Sequence, residues 1–214
     1  MGTKKSREML FWTREEYEKF SEAIMDKPLA YYAFEMLYWC GLREGELLAL
    51  TPSDFDFEKG TVSVSKTYTR LNRKDVITTP KTEKSNRTVQ MPQNVCDKMR
   101  DYIQSLYKPE PDERIFPFTK YFLTSEMQRG SKAAGVKRIR IHDLRHSHIS
   151  LLIDMGFPLT AIAARLGHET VDITCMYGHM LPSRQTEMAE KLDMFRTETK
   201  EESHDTKASY NNVY

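Results

Sequence analysis

The spacing of apolar residues predicts that most of the chain is helical. Thr13 and Glu16, three residues apart, form a capping-box pattern that begins a helix reaching about residue 25. Residues 28–40 are apolar almost all round, which is typical of a helix at the centre of a domain. Further helices are predicted over residues 43–50, 93–106, 120–134, 158–166 and 182–195.

Between two of these helices the apolar period changes to that of a strand. Residues 61–65, 75–79 and 87–91 alternate in polarity and are separated by polar turns. We interpret them as one antiparallel sheet. The predicted fold class is therefore α+β, a mostly helical domain with a small three-stranded antiparallel sheet.

Length and composition predict one globular domain. Residues 1–10 are predicted to be disordered or the start of a linker, residues 11–196 the domain, and residues 197–214, which hold few apolar side chains, a flexible C-terminal tail. The chain has no run of 18 apolar residues and no signal peptide pattern, and its three cysteines are far apart. We therefore expect a cytoplasmic protein with reduced thiols and no membrane partner.

The net charge of +1 hides two basic segments. Residues 61–92 carry seven basic and two acidic side chains, and residues 129–149 carry six basic and one acidic. Concentrated positive charge predicts a face that binds the phosphates of double-stranded DNA, with solvated surface charge as the alternative. The candidate DNA-binding residues are Lys66, Arg70, Arg73, Lys74, Lys84, Arg87, Lys137, Arg138 and Arg140.

One stretch near the C-terminus holds five of the six histidines. His142, Arg145 and His146 are spaced to share one face of a helix. His168 follows the glycine that ends the next predicted helix, and Tyr177 comes nine residues later. Cations and imidazoles that converge on a phenol suit an anion that is attacked by oxygen, and phosphate is the obvious candidate.

Several of these side chains also have a purely structural interpretation. Tyr177 could simply fill core, and Arg43, at the start of a predicted helix, could pair either with Glu46 or with a DNA phosphate. A metal hydrolase is disfavoured because the acids near the histidines show no familiar ligand spacing. The histidines that we interpret as packing or supporting groups are His146, His148 and His179.

Three motifs, in order along the chain, resemble those of the tyrosine recombinases, also called phage-type integrases. CGLREGELLAL resembles their box I, and HDLRHSHISLLIDMG followed by LGHETVDITCMYGH resembles their box II. PKTEKSNRTVQMP resembles the hairpin that carries their active-site lysine. The resemblance selects Lys81, with Lys84, Lys66 and Lys74 as competitors for that role. The catalytic residues that the resemblance implies are Arg43, Lys81, His142, Arg145, His168 and the nucleophile Tyr177.

The resemblance also implies a role for each residue. The two arginines hold the nonbridging oxygens of the scissile phosphate, and His168 donates a hydrogen bond to one of them. Lys81 protonates the leaving 5′-oxygen, and His142 is the base or proton relay near the tyrosine.

The implied activity is site-specific DNA recombination by the tyrosine recombinase catalytic fold. Strands are cleaved and rejoined through a 3′-phosphotyrosine intermediate, without metal or cofactor, for integration and excision of a mobile element. The resemblance further implies a separate DNA-clamping domain before this one, a tetramer on DNA when the protein is full length, and docking of the tail on a neighbouring subunit. The alternatives are a catalytically inactive DNA-binding regulatory module and a type IB topoisomerase-like activity.

Overall fold

The protein is represented by a computed structural model that describes residues 10–79, 86–167, 177, 189, 192 and 193. The chain divides into two units, residues 1–178 and 179–214. In the second unit, Ala189, Leu192 and Asp193 are helical and exposed, within the span predicted for the last helix. Residues 1–9 of the predicted N-terminal linker (residues 1–10) and the whole predicted C-terminal tail lie outside the described residues.

The helices of the first unit begin and end close to the predicted positions. Helix α1 starts after Thr13, whose hydroxyl accepts from the Glu16 N–H while the Glu16 carboxylate accepts from the Thr13 N–H. Helix α3 is shorter than predicted: it ends at Leu47, and the N–H groups of Ala49 and Leu50 donate to carbonyls three residues back, in tighter turns than those of an α-helix. The helices are α1 (Arg14–Ala23), α2 (Pro28–Cys40), α3 (Glu44–Leu47), α4 (Gln93–Ser105), α5 (Lys120–Ala134), α6 (Asp143–Asp154) and α7 (Leu159–Leu166).

The described strands form two small antiparallel sheets rather than one. The first joins β1 (Phe55–Asp56), β2 (Thr61–Val64) and β5 (Arg87–Gln90) in that order, and the second joins β3 (Thr67–Leu71) and β4 (Lys74–Thr78). The α+β class with a three-stranded antiparallel sheet is confirmed, but residues 75–79 are not part of that sheet. A two-residue turn folds β4 back onto β3, so its partner is the segment immediately before it.

The apolar helix α2 lies at the centre of the core and positions the site. It contacts α1, α3, α4 and α6, and Tyr38 stacks on Tyr17 with ring centroids 3.7 Å apart. Each fully buried large apolar side chain contributes roughly 1.5–3 kcal/mol to folding. The packing fixes the C-terminal end of α2 against α6, the two elements that carry box I and box II.

Cys40 and Cys96 are buried and unpaired, which agrees with the prediction of reduced thiols, while Cys175 lies outside the described residues. Among the described helices, none has the length and apolar character needed to cross a membrane.

Candidate active site

Arg43 lies where α2 ends and α3 begins. Gly41 ends α2 in the left-handed conformation, with φ +64°, and turns the chain so that Arg43 becomes the residue before α3. Its N–H donates to Glu46 Oε2 and its Nη1 donates to Glu46 Oε1, both at 2.8 Å. The Arg43 side chain remains 35% exposed, so the guanidinium is both held by Glu46 and open to a ligand.

Behind this pair, Arg87 holds Glu46 from the protein interior. Its Nη1 and Nη2 donate to the two Glu46 oxygens at 2.9 and 2.8 Å, and its Nε donates to the Arg165 carbonyl. Burial alone would raise the pKa of Glu46, but hydrogen bonds and charge from Arg87, then Arg43, outweigh it and lower the pKa to about 2. The Arg87 side chain is only 5% exposed because β5 points it at Glu46, and its role as a DNA contact stays a prediction.

Arg145 is a buried cation held by carbonyl groups. Its side chain extends from α6 to the ends of two other helices, where Nη1 donates to Gly41 O and Nη2 donates to Leu166 O, both at 2.6 Å. Its Nε has no hydrogen-bond partner and its guanidinium no carboxylate partner within the described part of the chain. Burial lowers the pKa of Arg145 to about 9, with a further contribution from the charge of Arg43.

The predicted cluster of histidines and tyrosine forms at the start of α6. His142 immediately precedes the helix and is exposed, and the His146 ring packs edge-on against it at a centroid distance of 4.9 Å. His146 Nδ1 is hydrogen-bonded to the Tyr177 hydroxyl. Tyr177 is helical and almost fully buried, which raises the pKa of its phenol.

The interpretation of His146 as a packing or supporting group did not name Tyr177 as its partner. His148 does behave as a core residue, since it is buried, accepts a hydrogen bond from Arg165 Nε at 3.2 Å, and has a pKa lowered to about 3 by burial and by Arg165. Lys81, Lys84, His168 and His179 lie outside the described residues, so their places in the site remain predictions. Among the residues described, no group of three or more metal-binding side chains occurs.

The first basic surface is the β3–β4 hairpin. Arg70, Arg73 and Lys74 are exposed around its turn, and Arg70 Nε lies 3.5 Å from the Asp75 carboxylate. Asn72 and Arg73, the two turn residues, both have positive φ, 49° and 64°. An arginine in this conformation is strained by roughly 1–2 kcal/mol relative to glycine. The turn therefore keeps a cation at its tip at some cost in stability.

The other predicted DNA contacts differ in burial and in whether they form ion pairs with the protein. Lys66 is mostly buried and pairs with Asp54 at 2.8 Å, so it supports the short 3-10 helix, Pro52–Asp54, that precedes β1. In the second basic surface, residues 137–140, Arg138 is exposed without an ion pair in the described part of the chain. Its neighbours Lys137 and Arg140 pair with Glu16 at 3.3 Å and with Asp143 at 2.7 Å.

Comparison with known proteins places these features in a family. The sequence model of the phage integrase family matches residues 11–184. The chain is 35% identical over 202 residues to the ICEBs1 integrase of Bacillus subtilis (strain 168), covering 87% of this chain and 55% of that protein. It is 28% identical over 182 residues to the integrase of Staphylococcus phage L54a, covering 75% and 51%.

Solved structures of integrases share the fold. The Tn1549 transposon integrase, in complex with circular intermediate DNA, superposes with a TM-score of 0.73 at 23% identity, covering 90% of this chain and 68% of that one. The catalytic domain of bacteriophage HP1 integrase superposes with a TM-score of 0.60 at 20% identity, covering 86% and 95%. The chain spans about half the length of the curated relatives it matches. By the extent of these matches and the order of its motifs, the chain belongs to the phage integrase family.

Proposed function

We propose that this chain is the catalytic domain of a site-specific DNA recombinase that integrates and excises a mobile element. Tyr177 attacks the scissile phosphorus of a DNA strand, which forms a 3′-phosphotyrosyl bond and releases a 5′-hydroxyl. Attack by the 5′-hydroxyl of a partner strand breaks that bond and restores a phosphodiester. Because the bond energy is retained, the exchange requires no nucleotide cofactor.

The observation that carries this proposal is the buried guanidinium of Arg145. A buried cation is costly unless an anion pairs with it, and within the described part of the chain the guanidinium donates only to the carbonyl oxygens of Gly41 and Leu166. Its pKa stays above 7, so the group remains charged, and no described carboxylate neutralises it by direct contact. An anionic phosphate beside Tyr177 would supply the missing charge, and the stabilisation would grow as charge develops on the nonbridging oxygens.

The other residues take roles consistent with their environments. Arg43 is exposed enough to donate to the same phosphate while Glu46 fixes its orientation. His142, exposed at the start of α6, is the proposed base or proton relay, and Lys81 is the proposed acid that protonates the leaving 5′-oxygen. His168 is proposed to donate to a nonbridging oxygen. The exposed side chains Arg70, Arg73, Lys74 and Arg138 are proposed to bind flanking phosphates, with Lys84, Lys137 and Arg140 as further contacts.

The test is formation of a covalent adduct between the protein and DNA. The 214-residue chain is incubated, with chelator present, with a pool of nicked duplexes whose arms have random sequence, and denaturation-resistant complexes are captured and sequenced. We expect wild type to form the adduct and Tyr177→Phe to form none. Tyr107→Phe is the matched control, because it removes the hydroxyl of an exposed tyrosine.

The same experiment separates the alternatives. Duplex binding without adduct in wild type would contradict catalysis and favour an inactive DNA-binding regulatory module. An adduct that relaxes a supercoiled plasmid but never joins strands from two duplexes would instead indicate a type IB topoisomerase-like activity. Metal-dependent cleavage without an adduct would contradict the proposed nucleophile.

Assembly and location follow from the same proposal. We propose that the full-length protein acts as a tetramer on double-stranded DNA in the cytoplasm, with residues 197–214 docking on a neighbouring subunit. The named relatives, integrases of an integrative element and of a phage, support an element-borne recombinase.

A further inference from the structure

We propose that His146 is the residue that positions the nucleophile, by accepting a hydrogen bond from the Tyr177 hydroxyl at Nδ1. This inference rests on the proposed function, because it names a new residue of the same site. The assignment differs from that of His142, which the family resemblance selects as the base or relay.

The geometry shows that the contact is made through the hydroxyl group. The His146 and Tyr177 ring centroids are 5.8 Å apart and the ring planes are inclined by 44°, so the rings are not stacked. The hydrogen bond joins Nδ1 to the atom that must attack phosphorus. Tyr177 is 1% exposed, so water competes little for its hydroxyl.

The surroundings of His146 determine whether its ring is charged. Burial, followed by His142, lowers the pKa of His146 to about 4, Arg140 and Arg145 act in the same direction, and Asp143 opposes them. Burial also raises the pKa of the Tyr177 phenol. At neutral pH both partners are therefore uncharged. A neutral imidazole with its proton on Nε2 accepts at Nδ1, so in this tautomer, which the proposal assigns to His146, the phenol is the donor.

His142 is placed differently relative to the nucleophile. It is exposed, and its ring contacts the edge of His146, whereas the described contacts include no hydrogen bond from His142 to Tyr177. The phenol is thus oriented by the second histidine of the HDLRH sequence, and the first is left facing solvent, where a phosphate would bind.

The hydrogen bond to Tyr177 starts from a rigid helix that also carries Arg145. His146 and Arg145 are consecutive on α6, and Arg145 is fixed by two carbonyl groups. The helix therefore sets the position of the phenol oxygen relative to the guanidinium that is proposed to hold the phosphate. Correct positioning of an attacking atom commonly contributes on the order of a hundredfold to a rate.

The first test requires no DNA. The full chain is labelled with nitrogen-15 histidine, and the His146 signals are assigned by their loss in His146→Asn. At pH 7 we expect a neutral ring with the proton on Nε2, and a Nδ1 resonance that moves toward that of an unbonded ring nitrogen in Tyr177→Phe but not in the exposed control Tyr121→Phe. A proton on Nδ1, or a resonance insensitive to Tyr177→Phe, would overturn the inference.

The second test measures the rate of adduct formation. Because the Asn Oδ1 atom lies close to where Nδ1 lies in histidine, His146→Asn keeps an acceptor for the phenol, whereas His146→Leu removes it. We expect His146→Leu to slow adduct formation by about tenfold to a hundredfold with unchanged DNA affinity, and His146→Asn to restore most of the rate.

The outcomes of the two tests are distinguishable. Equal rates for His146→Leu and wild type would overturn the positioning role and leave the proposed recombinase intact. An absent adduct in wild type would overturn the proposed function, while the nitrogen-15 spectra would still decide the hydrogen bond.

Discussion

Glu46 holds two guanidinium groups on one carboxylate, so the residue that orients Arg43 also contributes to stability. Its pKa falls from 4.5 to about 2, which is worth about 3 kcal/mol of unfolding free energy at neutral pH. A lowered folded-state pKa stabilises above the unfolded value, and the stabilisation is lost as the pH falls from about 4.5 towards 2. Glu46→Gln should therefore lose about 3 kcal/mol at pH 7, and the deficit should shrink below pH 4.5, measured by urea unfolding.

The matched control is Glu58→Gln, which neutralises an exposed glutamate with no ion pair in the described part of the chain. We expect its unfolding free energy to stay close to that of wild type at every pH. A Glu46→Gln deficit of the same size at pH 7 and pH 3 would contradict the ionic origin of the stabilisation. Adduct formation by Glu46→Gln should also be slower, because Arg43 loses its anchor.

At the residue scale, the sequence names candidate residues but does not predict which groups they contact. Arg145 and Tyr177 were identified by their motifs. The partners of Arg87 and His146 lie 41 and 31 residues away in the chain. Local spacing carries no information about such contacts, so it predicts Arg87 as a candidate DNA contact and His146 as a packing or supporting group without naming either partner. Arg87 lies in a strongly basic segment, and only the fold shows that its side chain faces Glu46.

At the scale of elements, the end of α2 links the two arginines. Gly41 has φ +64°, its carbonyl accepts from Arg145, and a Cβ atom there would lie 2.6 Å from His148 Cδ2 and 2.7 Å from Leu166 Cδ2. Gly41→Ala should therefore combine backbone strain with a clash in the core. We expect a loss of about 3 kcal/mol in unfolding free energy and a strong reduction in the rate of adduct formation.

Gly135 provides the matched control for this substitution. It ends α5 with a nearly identical φ of +66°, but a Cβ atom there would meet nothing within 4 Å. Gly135→Ala should cost only the backbone strain, roughly 1–2 kcal/mol, and leave adduct formation unchanged. Equal losses of stability for the two variants would show that packing around Gly41 is unimportant.

The elements themselves were predicted unequally. Helices α2 and α5 have the predicted bounds, because their apolar patterns are long and their ends are marked by proline, glycine or both. The three predicted strands are present, but their pairing differs from the prediction. Alternation of polar and apolar residues shows that a segment is extended but does not identify the strand that pairs with it. The hairpin turn at Asn72 and Arg73 contains no glycine, the usual signal for such a turn, and strand β3 was missed for that reason.

At the scale of the whole molecule, the distribution of ion pairs decides which cations of a chain of net charge +1 are available for the proposed binding of DNA. Three of the predicted contacts, Arg73, Lys74 and Arg138, are exposed and have no ion pair within residues 10–79 and 86–167. Cations of this kind can exchange their counterions for phosphates without first breaking a protein contact. We therefore expect them to account for much of the electrostatic part of DNA binding.

The dependence of DNA affinity on salt concentration measures that contribution. Each phosphate contact adds about 0.9 to the slope of the logarithm of the association constant against the logarithm of salt concentration. Replacing Arg73, Lys74 and Arg138 with Gln should reduce the magnitude of this slope by about 3 and weaken binding to duplexes of every sequence. The control carries the same charge change in α1, the β1–β2 turn and α4, through Lys19→Gln, Lys59→Gln and Arg100→Gln.

The two triple variants distinguish local contact from net charge. If only the net charge of the molecule mattered, both variants would lower the affinity and the slope equally. If the β3–β4 hairpin and residues 137–140 lie against the phosphates, only the first variant will change the slope, because counterions are released only where protein cations replace them. Equal slopes for the first variant and wild type would contradict the placement of the DNA-binding surface at these two segments. The basic side chains there would then be ordinary solvated charge.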